Sequence, residues 1–260
     1  MILQLNEIRL SFTNDRKKTF HLLRCVNLNV EPGKVTALVG GNGTGKTTLF
    51  NIICGFQQGW HGKVIFNGHN ISHLAPYSIS RMGIGRLFQN GQLIEGLSLM
   101  DNLKMGVNDT NSEIPFASLL RPHIWKKSEV FKEQQALETL NRLFGKGNKY
   151  LGMTEKDAST FSYGEQRLLS LARLLMGNCK LLLLDEPTSG VNPVYIETIA
   201  SIINNMKAQG ITILLIEHNM HFVKEIADTC AYLDDGCITK VGSTEDVLND
   251  QEVRNSYLGI

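Results

Sequence analysis

Val35-Thr36-Ala37-Leu38-Val39-Gly40-Gly41-Asn42-Gly43-Thr44-Gly45-Lys46-Thr47-Thr48 sets a short apolar run directly before a glycine-rich loop that ends in Gly-Lys-Thr. The apolar run predicts a buried strand, and the residues from Lys46 onward predict a helix. Strand, loop, helix is the setting that the pattern Gly, four residues, Gly-Lys-Thr requires. Glycine is needed because a chain that wraps a polyanion with its own N–H groups must adopt conformations and approaches that a Cβ would block. The free N–H groups that open the helix add partial positive charge at the same point. Gly40, Asn42, Gly43, Gly45, Lys46, Thr47 and Thr48 are thus the expected phosphate contacts. Lys46 is expected on the β- and γ-phosphates, and the Thr47 hydroxyl on Mg²⁺.

Leu181-Leu182-Leu183-Leu184-Asp185-Glu186 reads as a central parallel strand, buried on both faces, that delivers two carboxylates at its C-terminal end. That edge of a doubly wound sheet is where ligands bind. Asp185 suits the shell of a hard cation, and Glu186 suits a general base that orients and deprotonates an attacking water. The competing reading is structural, with Asp-Glu-Pro merely capping the helix after Pro193. Phe161-Ser162-Tyr163-Gly164-Glu165-Gln166 carries two readings as well. Ser, two residues, then Glu before the apolar stretch Arg167 to Met176 is a helix capping box. A Ser hydroxyl and a Gly N–H at a helix start also form a second anion site. One triphosphate can use both sites only if they converge on it.

In their order and spacing these motifs resemble the nucleotide-binding subunits of ABC transporters over essentially the whole chain. The resemblance implies an α/β fold: a P-loop NTPase (RecA-like) core with an antiparallel β subdomain and an inserted helical subdomain. One ABC ATPase domain would span 1–260, with the core and β subdomain at 1–89 and 162–260 and the helical subdomain at 90–161. It implies ATP and Mg²⁺ as cofactors, and hydrolysis coupled to transport. Gln89 matches the family glutamine that contacts Mg²⁺ and the attacking water. His218 matches the switch histidine at the γ-phosphate. Phe12 is the candidate for the ring that stacks on adenine, with Phe20 as its rival because Asn14 to Thr19 looks like an insertion.

The usual family signature is Leu-Ser-Gly-Gly-Gln, whereas this chain has Phe161-Ser162-Tyr163-Gly164-Glu165. Ser162 and Gly164, which bind the γ-phosphate in the family, are kept, and Glu165, standing where glutamine is usual, is expected with them among the nucleotide contacts. The family pairs such subunits head to tail as a homodimer, or a heterodimer with a second ABC ATPase subunit, so that one signature closes over the ATP of the other chain. A bulky residue at Gly164 is expected to spare the Ser162 cap and the fold while obstructing the phosphate. Asn192 stands where many members carry Asp, which keeps hydrogen bonding across a dimer and drops a charge.

At 260 residues the chain can bury one large core, or one core and a smaller subdomain. Its net charge of +1 gives no reason to expect nucleic acid as a partner. The five cysteines form neither a paired framework nor a Cys-x-x-Cys motif, and read as reduced thiols. His218 and His221 lack a third metal ligand. No apolar run approaches the ~20 residues that span a bilayer, and the start has no signal-peptide character. The expected location is therefore cytoplasmic, peripheral on the inner face of the cell membrane, with the pathway supplied by integral-membrane permease subunits.

Strand-like segments are expected near 2–12, 24–30, 35–39 and 62–67, with a helix from 46 to about 55. A loop is expected from Gln89 through Pro115 and Pro122, followed by the amphipathic stretch Lys126 to Phe144 and the turn Gly145-Lys146-Gly147. The wording Ile216-Glu217-His218-Asn219-Met220 and the end Val253 to Gly259 resemble branched-chain amino acid or urea importers. The alternatives are the ATPase of a lipopolysaccharide-type exporter and a soluble, non-transport ABC ATPase. The latter usually shows fused cassettes, coiled coils or zinc-binding cysteines, none of which is present.

Overall fold

The computed structural model describes residues 1–13, 18–89, 93–107 and 122–258. Ten strands run as β1 (Leu3–Thr13), β2 (Thr19–Val30), β3 (Val35–Val39), β4 (Trp60–Phe66), β5 (His69–Asn70), β6 (Ile84–Leu87), β7 (Leu181–Asp185), β8 (Thr212–Ile216), β9 (Thr229–Asp234) and β10 (Cys237–Ser243) among the described residues. The helices are α1 (Lys46–Ile53), α2 (Pro76–Arg81), α3 (Leu99–Lys104), α4 (Pro122–Phe144), α5 (Tyr163–Leu175), α6 (Pro193–Ala208), α7 (Met220–Ile226), α8 (Thr244–Asn249) and α9 (Gln251–Leu258). The chain divides into two compact units. The first is Met1–Gln89, Lys180–Ser189 and Ile203–Ile260; the second is Asn90–Cys179 and Gly190–Ile202.

All the strands belong to the first unit, in the order β5-β4-β1-β2-β10-β9-β3-β8-β7-β6. β9, β3, β8, β7 and β6 pair in parallel, while β5, β4, β1 and β2 form an antiparallel half. β3, β7 and β8 are buried at every residue, which accounts for their unbroken apolar sequences. Alternate residues serve opposite faces. Leu38, Leu183, Leu214 and Leu233 pack with Leu49, Phe50 and Ile53 of α1 and with the apolar face of β1, β2 and β4. Ala37, Val39, Cys230 and Tyr232 pack instead with Val223 of α7, Val247 and Leu248 of α8, and Val253 of α9. β3 and β9 are therefore held from both sides, β7 and β8 share the first of these cores, and truncating a leucine such as Leu183 to Ala would cost about 2–5 kcal/mol.

In the second unit α3 packs on α4 and α5, and α4 packs on α5. Two sequence expectations need correction here. The stretch after Gln89 is not loop throughout, because α3 forms with Ser98 accepting from Asp101 N. Pro122 opens α4 rather than lying in the loop; a proline fits the first turn, where its missing N–H has no partner to lose. Pro115 and Asn90 lie outside the described residues. Asn102, fully buried, ties the turn before α3 by bonding Ile94 N at 2.6 Å and the carbonyls of Ile94 and Ser98.

Candidate active site

β3 delivers the glycine loop to the start of α1. A Cβ at Gly40 would lie 2.3 Å from the Leu233 carbonyl, so only glycine lets the loop pass β9. Gly45, immediately before α1, sits at φ +101°, the left-handed region that glycine reaches without strain. Lys46 is buried, and its Nζ donates to the carbonyls of Gly40 and Gly41 at 2.8 Å each. Burial lowers its pKa, with Glu186 and Asp185 pulling the other way. Asn42 and Gly43 are exposed at the loop tip, and Thr47 and Thr48 open α1.

β7 ends at Asp185, fully buried, and Glu186 follows at φ +48°. A non-glycine residue in that region is strained, and such strain persists only where neighbours over-determine it. Here Glu186 N donates to Ile216 O at 2.9 Å and Ser189 N to Glu186 O at 3.2 Å. The two oxygens of Glu186 meet different partners: Gln89 Nε2 at 2.8 Å and His218 Nε2 at 3.2 Å. Asp185 Oδ1 accepts from Thr47 Oγ1 at 3.4 Å, and Oδ2 pairs with Arg86 at 3.0 Å. Burial raises the Asp185 carboxyl pKa, and Arg86 opposes that rise. The structure thus gathers Lys46, Thr47, Gln89, Asp185, Glu186 and His218 at one edge of the sheet. At the start of α6, Asn192 Oδ1 accepts from Val194 N at 3.0 Å.

Phe12 and Phe20 face each other across the β1–β2 pair, both exposed, so the two rivals stand side by side. Residues 14–17, the core of the suspected insertion, lie outside the described residues.

The remaining site residues belong to the second unit. Ser162 caps α5 in a full capping box: its hydroxyl accepts from Glu165 N, and Glu165 Oε2 accepts from Ser162 N at 3.0 Å and from the hydroxyl at 2.9 Å. Lys149 Nζ pairs with Glu165 Oε1. Burial alone would raise the Glu165 carboxyl, but the bonds from Lys149 and Ser162 outweigh it and hold the pKa below its usual value. Gly164 is buried, and a Cβ there would sit 2.5 Å from the ring of Tyr195. The expectation that a bulky Gly164 variant spares the fold is therefore corrected, because the ring already fills that space.

Sequence reasoning missed four residues. Arg86 of β6, whose side chain is 5% exposed, bonds Asn51 at 2.6 Å as well as Asp185 and lies over the Phe88 ring at 4.6 Å. A charged residue inside a four-residue strand was its one signal. Glu217, 2% exposed, accepts from the Thr188, His218 and Asn219 N–H groups; an acid directly after an apolar strand was the clue. Lys149 and Tyr195 left no local signal.

Among the described residues no helix is long and apolar enough to cross a membrane. The family profile described as "ABC transporter" matches residues 23–189. The "Probable branched-chain amino acid transport ATP-binding protein LivG" of Archaeoglobus fulgidus is 34% identical, over 91% of this chain and 89% of its own. The "High-affinity branched-chain amino acid transport ATP-binding protein BraF" of Pseudomonas aeruginosa is 32% identical, over 90% of each chain. Among solved structures, the ADP conformation of an ATP-binding cassette of an ABC transporter superposes with a TM-score of 0.79 at 29% identity, covering 100% of this chain and 99% of that one.

Proposed function

The chain belongs to the ABC transporter family, and we propose that it is the ATP-hydrolysing subunit of an importer of branched-chain amino acids. The observation that carries the chemistry is the Glu186 carboxylate, held between Gln89 and His218 one residue beyond Asp185. The solute is inferred from the relatives, which are named for branched-chain amino acid transport.

ATP enters at the loop, where the N–H groups of Gly40 to Thr48 surround the β- and γ-phosphates and Lys46 exchanges its hold on two carbonyls for phosphate oxygens. Phe12 stacks on adenine, with Phe20 beside it. Glu186 orients the attacking water and takes its proton, and His218 steadies the γ-phosphate. Thr47, Asp185 and Gln89 are oxygen donors that fit Mg²⁺, which typically takes few protein ligands and completes its shell with water and phosphate. When bound, the ion neutralises charge on the β- and γ-phosphates. Ser162 and Gly164 close over the ATP of a second cassette, a copy of this chain or a related subunit, and Glu165 keeps the Ser162 cap in place. The segment after Gln89, including Glu95 and Asp101, docks the integral-membrane permease subunits, which puts the chain on the inner face of the cell membrane.

Cells deleted for this chain should lose uptake of radiolabelled leucine, and should regain it with the wild-type chain but not with Lys46→Ala. Undiminished uptake of leucine, isoleucine and valine in the deletion strain would reject the importer reading.

A further inference from the structure

We propose that Glu217 is the positioning residue that keeps the loop of Glu186 in register with the loop of His218. This rests on the reading of Glu186 as general base and extends it to a residue outside the motif set.

The carboxylate of Glu217 divides its two oxygens between two segments that are distant in sequence. Oε1 accepts from Thr188 N at 2.8 Å and from the Thr188 hydroxyl at 2.6 Å. Oε2 accepts from His218 N at 2.9 Å and Asn219 N at 3.2 Å. Thr188 lies two residues after Glu186, and His218 directly follows Glu217, so one buried side chain ties both catalytic loops at their roots. Hydrogen bonds to an ionised acceptor are about twice as strong as neutral ones, and this bridge has four donors at one carboxylate.

The backbone supplies a second, independent reason for the bridge. Glu186 is held at φ +48°, and a strained residue relaxes unless its surroundings prevent it. Ile216 O restrains the nitrogen of Glu186 from β8, and Glu217 restrains Thr188 on the other side. On the partner loop, Asn219 Oδ1 also accepts from Phe222 N, which anchors that end of the bridge to α7. The His218–Glu186 contact at 3.2 Å is the geometry the bridge preserves.

Glutamine has nearly the same shape but only one oxygen. Whichever way its amide turns, the NH₂ group faces either the Thr188 N–H or the N–H pair of His218 and Asn219, donor against donor, and only the Thr188 hydroxyl can turn to accept. Glu217→Gln can therefore serve one loop and not both. The expected consequence is a selective loss of turnover, since misplacing a catalytic group by about 1 Å costs on the order of 10²-fold while the phosphate loop is untouched.

The test compares full-length wild type, Glu217→Gln, Thr188→Val and the double variant for kcat, ATP affinity and melting temperature, with Glu186→Gln alongside. The proposal expects kcat of Glu217→Gln to fall roughly tenfold to a hundredfold at unchanged ATP affinity. It expects a smaller loss in Thr188→Val, and a double variant no slower than Glu217→Gln because both changes break one bridge. Wild-type kcat in Glu217→Gln, losses that multiply in the double variant, or affinity falling together with melting temperature would each overturn it. If Glu186→Gln itself turns over near the wild-type rate, the base assignment is what fails; if Glu186→Gln is dead and Glu217→Gln is normal, only the bridge fails.

Discussion

The candidate phosphate contacts of the first unit grow out of its core, whereas those of the second are assembled from caps and surface pairs. Asp185, fully buried, ends β7, and Lys46, 6% exposed, opens α1 at the end of the loop that follows β3. Ser162 is exposed, and the Lys149 side chain that pairs with Glu165 is 55% exposed. A site built from buried ions resists displacement but suffers when one partner is removed. A site built from a capping box and a surface pair costs little to perturb in stability terms, so charge and access should govern it.

Removing Arg86 should have the largest effect on stability. Arg86→Met leaves Asp185 buried without its guanidinium, which should cost about 3–5 kcal/mol in a urea titration at neutral pH. The sign of the pH dependence follows from burial, which already raises this carboxyl with Arg86 opposing. Without Arg86 the folded-state pKa lies further above the unfolded one. Stability is then recovered as pH falls through the folded-state value and lost as pH rises through it. A change under about 1 kcal/mol would mean the first unit behaves like a surface site.

An intermediate effect is expected at the signature glycine. Gly164→Val should destabilise by about 1–3 kcal/mol through its clash with Tyr195, and Tyr195→Ala in the same chain should restore stability. ATP-driven association, followed by light scattering, should stay lost in both. If association returns with stability, the glycine serves packing alone.

Lys149 should matter least for stability, with Lys149→Ala costing at most about 1 kcal/mol. The same change should still weaken ATP-driven association, because it unmasks the Glu165 charge beside an incoming phosphate. Glu165→Gln in that background should restore association, since glutamine also completes a capping box. Equal association by wild type and Lys149→Ala would remove charge from the account of the second unit.

Legibility in the sequence followed the same division. Residues 35–48 and 181–186 could be read as strand, loop and carboxylates because each motif is contiguous and its apolar strand identifies itself. The capping box at Ser162 was likewise local. Arg86, Glu217, Lys149 and Tyr195 act on residues far away in the chain, at Asp185, Thr188, Glu165 and Gly164, and no short-range pattern encodes such a meeting. The proline at 122 misled for the opposite reason: as a local signal it suits a loop and a first helical turn equally well. Phe12 and Phe20 could not be ranked from sequence because β2 begins earlier than its apolar pattern, at Thr19 opposite Thr13.

The most direct measurement of the central claim is phosphate release by Glu186→Gln at saturating ATP, with retained nucleotide counted in the same sample. The account predicts bound, uncleaved ATP and a rate reduced ~10²–10⁴-fold, the usual weight of one well-placed general base. Phosphate release near the wild-type rate from a chain that binds ATP normally would contradict it.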